Sequence, residues 1–584
     1  MRSSTESPAR RCLLAAGMLV LLVSTHVCAS DAAADDPHRA LLSEEDFPSA
    51  TKCARCHQQI YEEWSSSAHA YAGLSPMFHK FEQKINSLAP TINNFCVRCH
   101  QGVGVTLGEE RYADTWERSQ LSREGVTCVS CHRVNTAYGK ANGERNILPG
   151  SIFEPVYGPT DAPVLDNVIE DREYYKVATQ SGEKGKKIHR DAIKLDQMSK
   201  SEFCMSCHQV AVNLGIKLEV VWDQYRSSPA HDQGITCQAC HMGKVPGKPE
   251  GYDRAPVAVV NGKEIEPERE HHNHAFYGPG YSIAHPGLFP HHPDAEQWTI
   301  QEWLQFDYRA GWGTEEFEEK IAEDLIEANF PEVWADASDR EAAREIIEEN
   351  QRKNRERLEL RRQVMENGSS IEGPFFTSEP EVGKSLSLYF IVKNTNSGHN
   401  VPSGSLGAQP ELWLNVALSD PDGNYVWESG YVDSHGDMAD LHSLDVREGK
   451  LARDAQLFNL QTKFLTTNVK GTDREMYLPV NFDIDQIPLL RPASQPVSVM
   501  NHPPLVRMEA RSIPPLSERK AHYTIPSSAF SKPGTYKMSV RMRSRAEPIY
   551  FMKFVGATTE MERAMNEGIL DIHPYSVEFD VRED

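Results

Sequence analysis

Short β-type runs of apolar and polar residues dominate the last third of the chain. They are Leu386 to Val392, Leu412 to Leu418, Tyr536 to Met542 and Tyr575 to Val581, each the length and pattern of a strand with a buried face. Turn signals such as Pro421-Asp-Gly423 and Lys532-Pro-Gly534 punctuate them, so residues 369–584 are predicted to form a β-sandwich-like domain. Residues 294–368 read as a helical connector, with Trp298, Trp303 and Phe306 near its start. The charged run Ala342 to Met365 near its end is read as a solvated face laced with ion pairs. Residues 30–293 hold few long periodic segments and are rich in Cys, His, Gly and Pro. The fold class expected is α+β multidomain: a mostly helical, loop-rich domain, the connector, then the all-β domain.

The N-terminus adds a further segment. Arg2, Arg10 and Arg11 precede the apolar run Cys12 to Val23, and Val27-Cys28-Ala29 follows. Residues 1–29 therefore read as a secretory signal peptide cleaved near Ala29, too short to span a bilayer. The net charge of -23 becomes about -25 once these three Arg and one Glu are removed. Such acidity argues against nucleic acid or anionic lipid as a partner and favours solubility, with basic protein partners as the alternative. No later stretch is apolar for long enough to cross a membrane.

Chemistry enters with one signature used five times: Cys53-x-x-Cys56-His57, Cys96-x-x-Cys99-His100, Cys128-x-x-Cys131-His132, Cys204-x-x-Cys207-His208 and Cys237-x-x-Cys240-His241. Zinc ribbons, redox pairs and disulfide frameworks also use C-x-x-C, but none needs His directly after the second Cys. Covalent c-type haem does, because two thiols must reach one porphyrin while the adjacent imidazole binds its iron. With Cys12 and Cys28 removed, all ten remaining cysteines belong to the signature. The expectation is five c-type haems with His57, His100, His132, His208 and His241 as proximal ligands. Such attachment occurs outside the cytoplasmic membrane, so a bacterial periplasmic or exported protein is expected.

Phe95-Cys96 to Gln101 followed by Gly125-Val-Thr-Cys128 is echoed by Phe203-Cys204 to Gln209 followed by Gly234-Ile-Thr-Cys237, with paired signatures 32 and 33 residues apart. A duplicated two-site unit plus the single site at Cys53 accounts for all five. The second axial ligands are less marked. His69 and His231 share a context, an Ala-His after a Trp and a Ser pair, and both are candidates. His189 lies 15 residues before Cys204. The cluster His271, His272, His274, His285, His291 and His292 follows the last signature, with His274 preferred and His285 second; a surface histidine tract is its bland reading. His79 is a further candidate, and Met77 and Met242 are thioether alternatives.

Cys53-x-x-Cys-His with Tyr61-Glu-Glu-Trp64 and Ser67-Ala-His69, then the Gly-Val-Thr-Cys-x-x-Cys-His form at Gly125 and its echo at Gly234, resemble the multihaem cytochromes of the cytochrome c554 type. These sit within a larger set containing hydroxylamine oxidoreductase and pentahaem nitrite reductase. The resemblance covers residues 50–295. It implies closely packed haems with mostly bis-histidine ligation that pass electrons between periplasmic partners, and it carries the distal-ligand role onto His69 and His231. The chain departs from the enzymes: it has no C-x-x-C-K signature, and five sites where hydroxylamine oxidoreductase has eight.

In the C-terminal part, Asn394 to Gly404 frames His399 with Gly and Pro, similar to a Gly-His-x-x-Pro-x-Gly loop of β-domains in other bacterial multihaem cytochromes. The preferred reading is a tight turn whose His bonds locally; the functional one is that His399 reaches a haem or helps bind a partner. The expected function is electron transfer between redox protein partners, basic or membrane-bound and quinol-linked, with oligomers allowed. The alternatives are an oxidoreductase acting on a small nitrogen or sulfur compound at a five-coordinate haem, and a subunit of an extracellular haem assembly.

Overall fold

The computed structural model describes residues 47–583 apart from 89–93, 137–144, 162, 213–215, 282–284, 291, 404–409, 467–475, 478–505 and 510. The signal-peptide reading therefore lies outside the described residues. All four β-type runs are strands. In chain order the larger strands are β1 (Ser369–Phe376), β2 (Leu386–Asn394), β3 (Glu411–Ser419), β4 (Tyr425–Ser429), β5 (Glu518–Ile525), β6 (Gly534–Arg545) and β7 (Leu570–Val581). They build two antiparallel sheets, β1-β2-β5 and β4-β3-β6-β7.

Register explains the core. Leu386, Leu388 and Phe390 oppose Ile525, Tyr523 and Ala521, while Leu414, Val416 and Leu418 oppose Met542, Val540 and Met538. All are buried in one apolar cluster shared by both sheets, because alternate residues of a strand share a face. The arrangement as a whole is α+β.

Before the sheets runs a helix of 31 residues, Ala337–Asn367, started by Asp336, whose Oδ1 accepts from the Ser338 amide at 2.9 Å. Its Ala343, Ile346 and Ile347 pack on Trp298, Trp303 and Trp334, and its Met365 enters the core of the sheets. The solvated-face reading holds for its outer side only, where Arg344–Glu348 and Arg352–Glu356 pair one turn apart. The inner side recurs at Arg340, Ala343, Ile347 and Asn350, all buried, the period of a helix.

The region before residue 294 is different. Each signature sits on or directly beside a short helix: α1 (Ala50–Ala54), which ends before Cys56 and His57, α2 (Val97–His100), α3 (Cys128–His132), α4 (Glu202–His208) and α5 (Cys237–His241). Apolar clusters there are small, such as Ala50, Trp64, Ala70, Tyr71 and Leu74. Among the described residues, no helix is long and apolar enough to cross a membrane.

Candidate functional site

A short helical turn puts the first Cys and the second, three residues on, on one side, with the His next to them. All ten cysteines and all five following histidines line one connected cavity of about 2020 Å³. The cysteines are not bonded to one another. Among the described residues no three His, Cys, Asp or Glu side chains converge as a bare metal site would require.

Across the cavity, four of the five signature histidines face a second imidazole. Ring centres lie 6.5 Å apart for His57 and His189, 6.5 Å for His132 and His274, 6.2 Å for His208 and His69, and 6.1 Å for His241 and His399. Two imidazoles bound through Nε2 to opposite faces of one iron stand about 6 Å apart, the sum of two metal–nitrogen bonds of about 2 Å and the offset of each ring centre. The spacing fits an iron between each pair.

Hydrogen bonding selects the right tautomer. Nδ1 of His57 lies 2.7 Å from the Val257 carbonyl, Nδ1 of His132 2.7 Å from that of Tyr157, and Nδ1 of His241 bonds that of Tyr277. On the facing side, Nδ1 reaches the carbonyl of Asp191 from His189 at 3.2 Å, of His272 from His274 at 2.6 Å and of Asn400 from His399 at 2.9 Å. A carbonyl only accepts, so in these six rings Nδ1 carries the proton and Nε2 keeps its lone pair for a metal. Burial holds His69 and His274 down at about 3 and His189 and His399 at about 4, against the ordinary 6.5. The neutral imidazole is the form that ligates.

His100 is the exception. Its ring stacks on Phe78 at 3.9 Å, its Nδ1 is 3.4 Å from the Ala72 carbonyl, and burial holds it at about 4. Among the described residues no second imidazole faces it at ligand spacing. Met77, one of the thioether alternatives, lines the cavity beside Phe78, as Met242 does elsewhere.

The five signatures also touch one another. Cys53 lies beside Cys128, Cys99 beside Cys207 and Cys204 beside Cys237. Arg145 ties α3 to α4, donating from Nε to Ser206 Oγ at 2.8 Å and from Nη1 to the Ser130 carbonyl at 3.2 Å. The sites thus form one connected series, with α4 beside α2 and α5 and joined to α3 through Arg145.

The family model for cytochrome c554 and c-prime matches residues 52–133, which contain three of the signatures and His69. Those residues resemble the multihaem c-type cytochromes. A protein of Allochromatium vinosum described as tetraheme cytochrome-c type is 26% identical over 161 residues, 28% of this chain and 77% of that protein. The crystal structure of a penta-heme cytochrome c552 from Thermochromatium tepidum aligns over 91% of this chain and 99% of that chain, at 14% identity and a TM-score of 0.47.

Three of the expected ligands stand elsewhere. Ser228 caps the turn Pro229–Asp232, its Oγ accepting from the His231 amide at 3.4 Å, which turns Ala230 inward and leaves the His231 side chain 46% exposed beside Asp232. His285 accepts from the Gly287 amide at Nδ1, 3.0 Å away, which places its proton on Nε2, and it is not on the cavity wall. His79 uses Nε2 toward the Gly73 carbonyl at 2.9 Å and Thr115 Oγ1 at 3.2 Å. In the histidine cluster, His271 Nε2 lies 2.7 Å from Glu63 Oε1, while Glu63 Oε2 accepts from the His274 amide at 2.9 Å. Glu63 thereby sets the segment that carries His274. His272 packs on Tyr252, His292 pairs with Glu349, and His291 lies outside the described residues.

The turn bearing His69 shows why the repeated glycine is needed. Gly125 has φ of 64°, and a Cβ there would stand 2.6 Å from the His69 carbonyl. That carbonyl accepts from the Val126 amide at 2.9 Å, so the backbone before one signature holds the imidazole that faces another.

Proposed function

We propose that the chain is a periplasmic or exported pentahaem cytochrome that carries electrons between redox protein partners, its haem-bearing domain spanning residues 30–293. The observation that carries this reading is the set of imidazole pairs at ligand spacing across one cavity that all ten cysteines line. The residues fit the group: Cys53 and Cys56, Cys96 and Cys99, Cys128 and Cys131, Cys204 and Cys207, and Cys237 and Cys240 would each hold one haem. His57, His100, His132, His208 and His241 would be proximal ligands, and His189, His274 and His69 distal ones. Bound haem supplies a one-electron iron couple. Burial keeps the ligating imidazoles neutral, and a carbonyl on Nδ1 fixes the rings of His57, His132, His241, His189 and His274. Arg145 and the contacts between signatures keep neighbouring sites close.

Intact mass and a reductive titration test this. Five covalently attached haems and five electrons taken up are expected; fewer of either contradicts the reading. A second reading is favoured by His100 alone. With no imidazole opposite among the described residues, its haem would leave a position for a small nitrogen or sulfur compound, as in an oxidoreductase. Nitrite, hydroxylamine or sulfite would then change the spectrum of one haem in the native protein, and no response to any of them would remove this reading.

A further inference from the structure

We infer that His399, from the β-sheet part of the chain, is the sixth ligand of the iron held at Cys237 and Cys240, so that seating of its loop on the haem region and ligation of that iron are one equilibrium. This rests on the proposed haem site at His241.

The two rings stand 6.1 Å apart and 9° from parallel, and His399 lines the cavity with its Nδ1 committed to the Asn400 carbonyl. The local hydrogen bond expected of a turn is present, and it is the one that frees Nε2. Bonds within the β part hold the loop's backbone. Asn394, the last residue of β2, donates from Nδ2 to the carbonyls of His399 at 3.0 Å and Ile513 at 2.9 Å, and Asn396 Oδ1 accepts from the Gly398 and His399 amides at 2.9 and 3.1 Å.

Two bonds then seat the loop on the haem region. The Ala230 amide donates to the Ser397 carbonyl at 3.0 Å, and the Asn400 amide donates to Gln224 Oε1 at 3.3 Å. The turn expected to present His231 thus receives the loop that presents His399. One imidazole–iron bond would join the two regions where two neutral hydrogen bonds otherwise hold the loop. Losing that ligand leaves a five-coordinate iron and a loop less firmly seated.

The test compares full-length His399→Ala with the native protein. Intact mass first shows whether all five haems remain attached, which examines the haem reading separately from this one. With them attached, the high-spin signal in the paramagnetic resonance spectrum should rise by one haem equivalent, and added imidazole should return it to the native level. Cleavage of the chain between residues 394 and 403 by a protease should accelerate about tenfold. His231→Ala should leave the spectrum unchanged. Should His399→Ala fail to accumulate, His399→Met keeps a donor atom and should shift the potential of one haem. A native spectrum in His399→Ala with all haems attached, or native potentials in His399→Met, overturns the assignment.

Discussion

Between the two sheets, Phe390, Leu414 and Met542 meet in an apolar core, whereas the region from Phe47 to His292 forms, together with residues 364–369 and 395–403, a cavity whose wall carries thiols and imidazoles. In the first region the chain supplies everything the fold must bury. In the second, the groups to be buried come from outside the twenty amino acids, and the chain supplies anchors. A region of the second kind gains its stability from what it binds, and removing the anchors should unfold it selectively.

The largest expected effect follows directly. Replacing the ten signature cysteines by Ser in the full chain should make residues 47–293 at least about tenfold more sensitive to protease, with fragments from β2, β3 and β6 persisting. Mass mapping of a limited digest checks it, and equal sensitivity of both regions would break the contrast. Next, Phe390→Ala should cost about 3–5 kcal/mol in the unfolding of the sheets, read by denaturant titration, while covalent haem content stays native.

A smaller effect separates the regions by pH. Burial pushes Asp437, beside Arg545, up to about 7 from an ordinary 3.8. Its folded form binds a proton more tightly than its unfolded form, so the stability it contributes is full below pH 3.8 and lost as pH rises through 7. Asp437→Asn should flatten the dependence of thermal stability on pH over that window; an unchanged slope would contradict it. The smallest effect belongs to the exposed helix face, where Arg352→Ala, which removes the pair with Glu356, should cost no more than about 0.5 kcal/mol by thermal melting.

The same contrast explains what was legible beforehand. Strands such as Leu386 to Val392 could be read because burial on one face imposes a period of two. The signatures could be read because covalent attachment imposes a fixed spacing. Distal ligands obey neither constraint. Local context points to His69, and nearness to a signature points to His189 and His274; the same nearness points equally to His285, and likeness to the segment around His69 points to His231. The cap at Ser228 sends the ring of His231 outward, and a loop more than 150 residues after His241 brings His399 in its place. Which signature that loop meets is not marked along the chain, since it depends on how the β part seats against α5. The signal available was the loop itself, a His between Gly398 and Pro402 with Asn394 and Asn396 ready to bond its backbone.

Quantitative paramagnetic resonance of the oxidised native protein tests the ligand arrangement most directly. Four low-spin haems and one high-spin haem are expected, with His69→Ala converting one more to high spin. Five low-spin haems, or a His69→Ala spectrum identical to the native one, would contradict it.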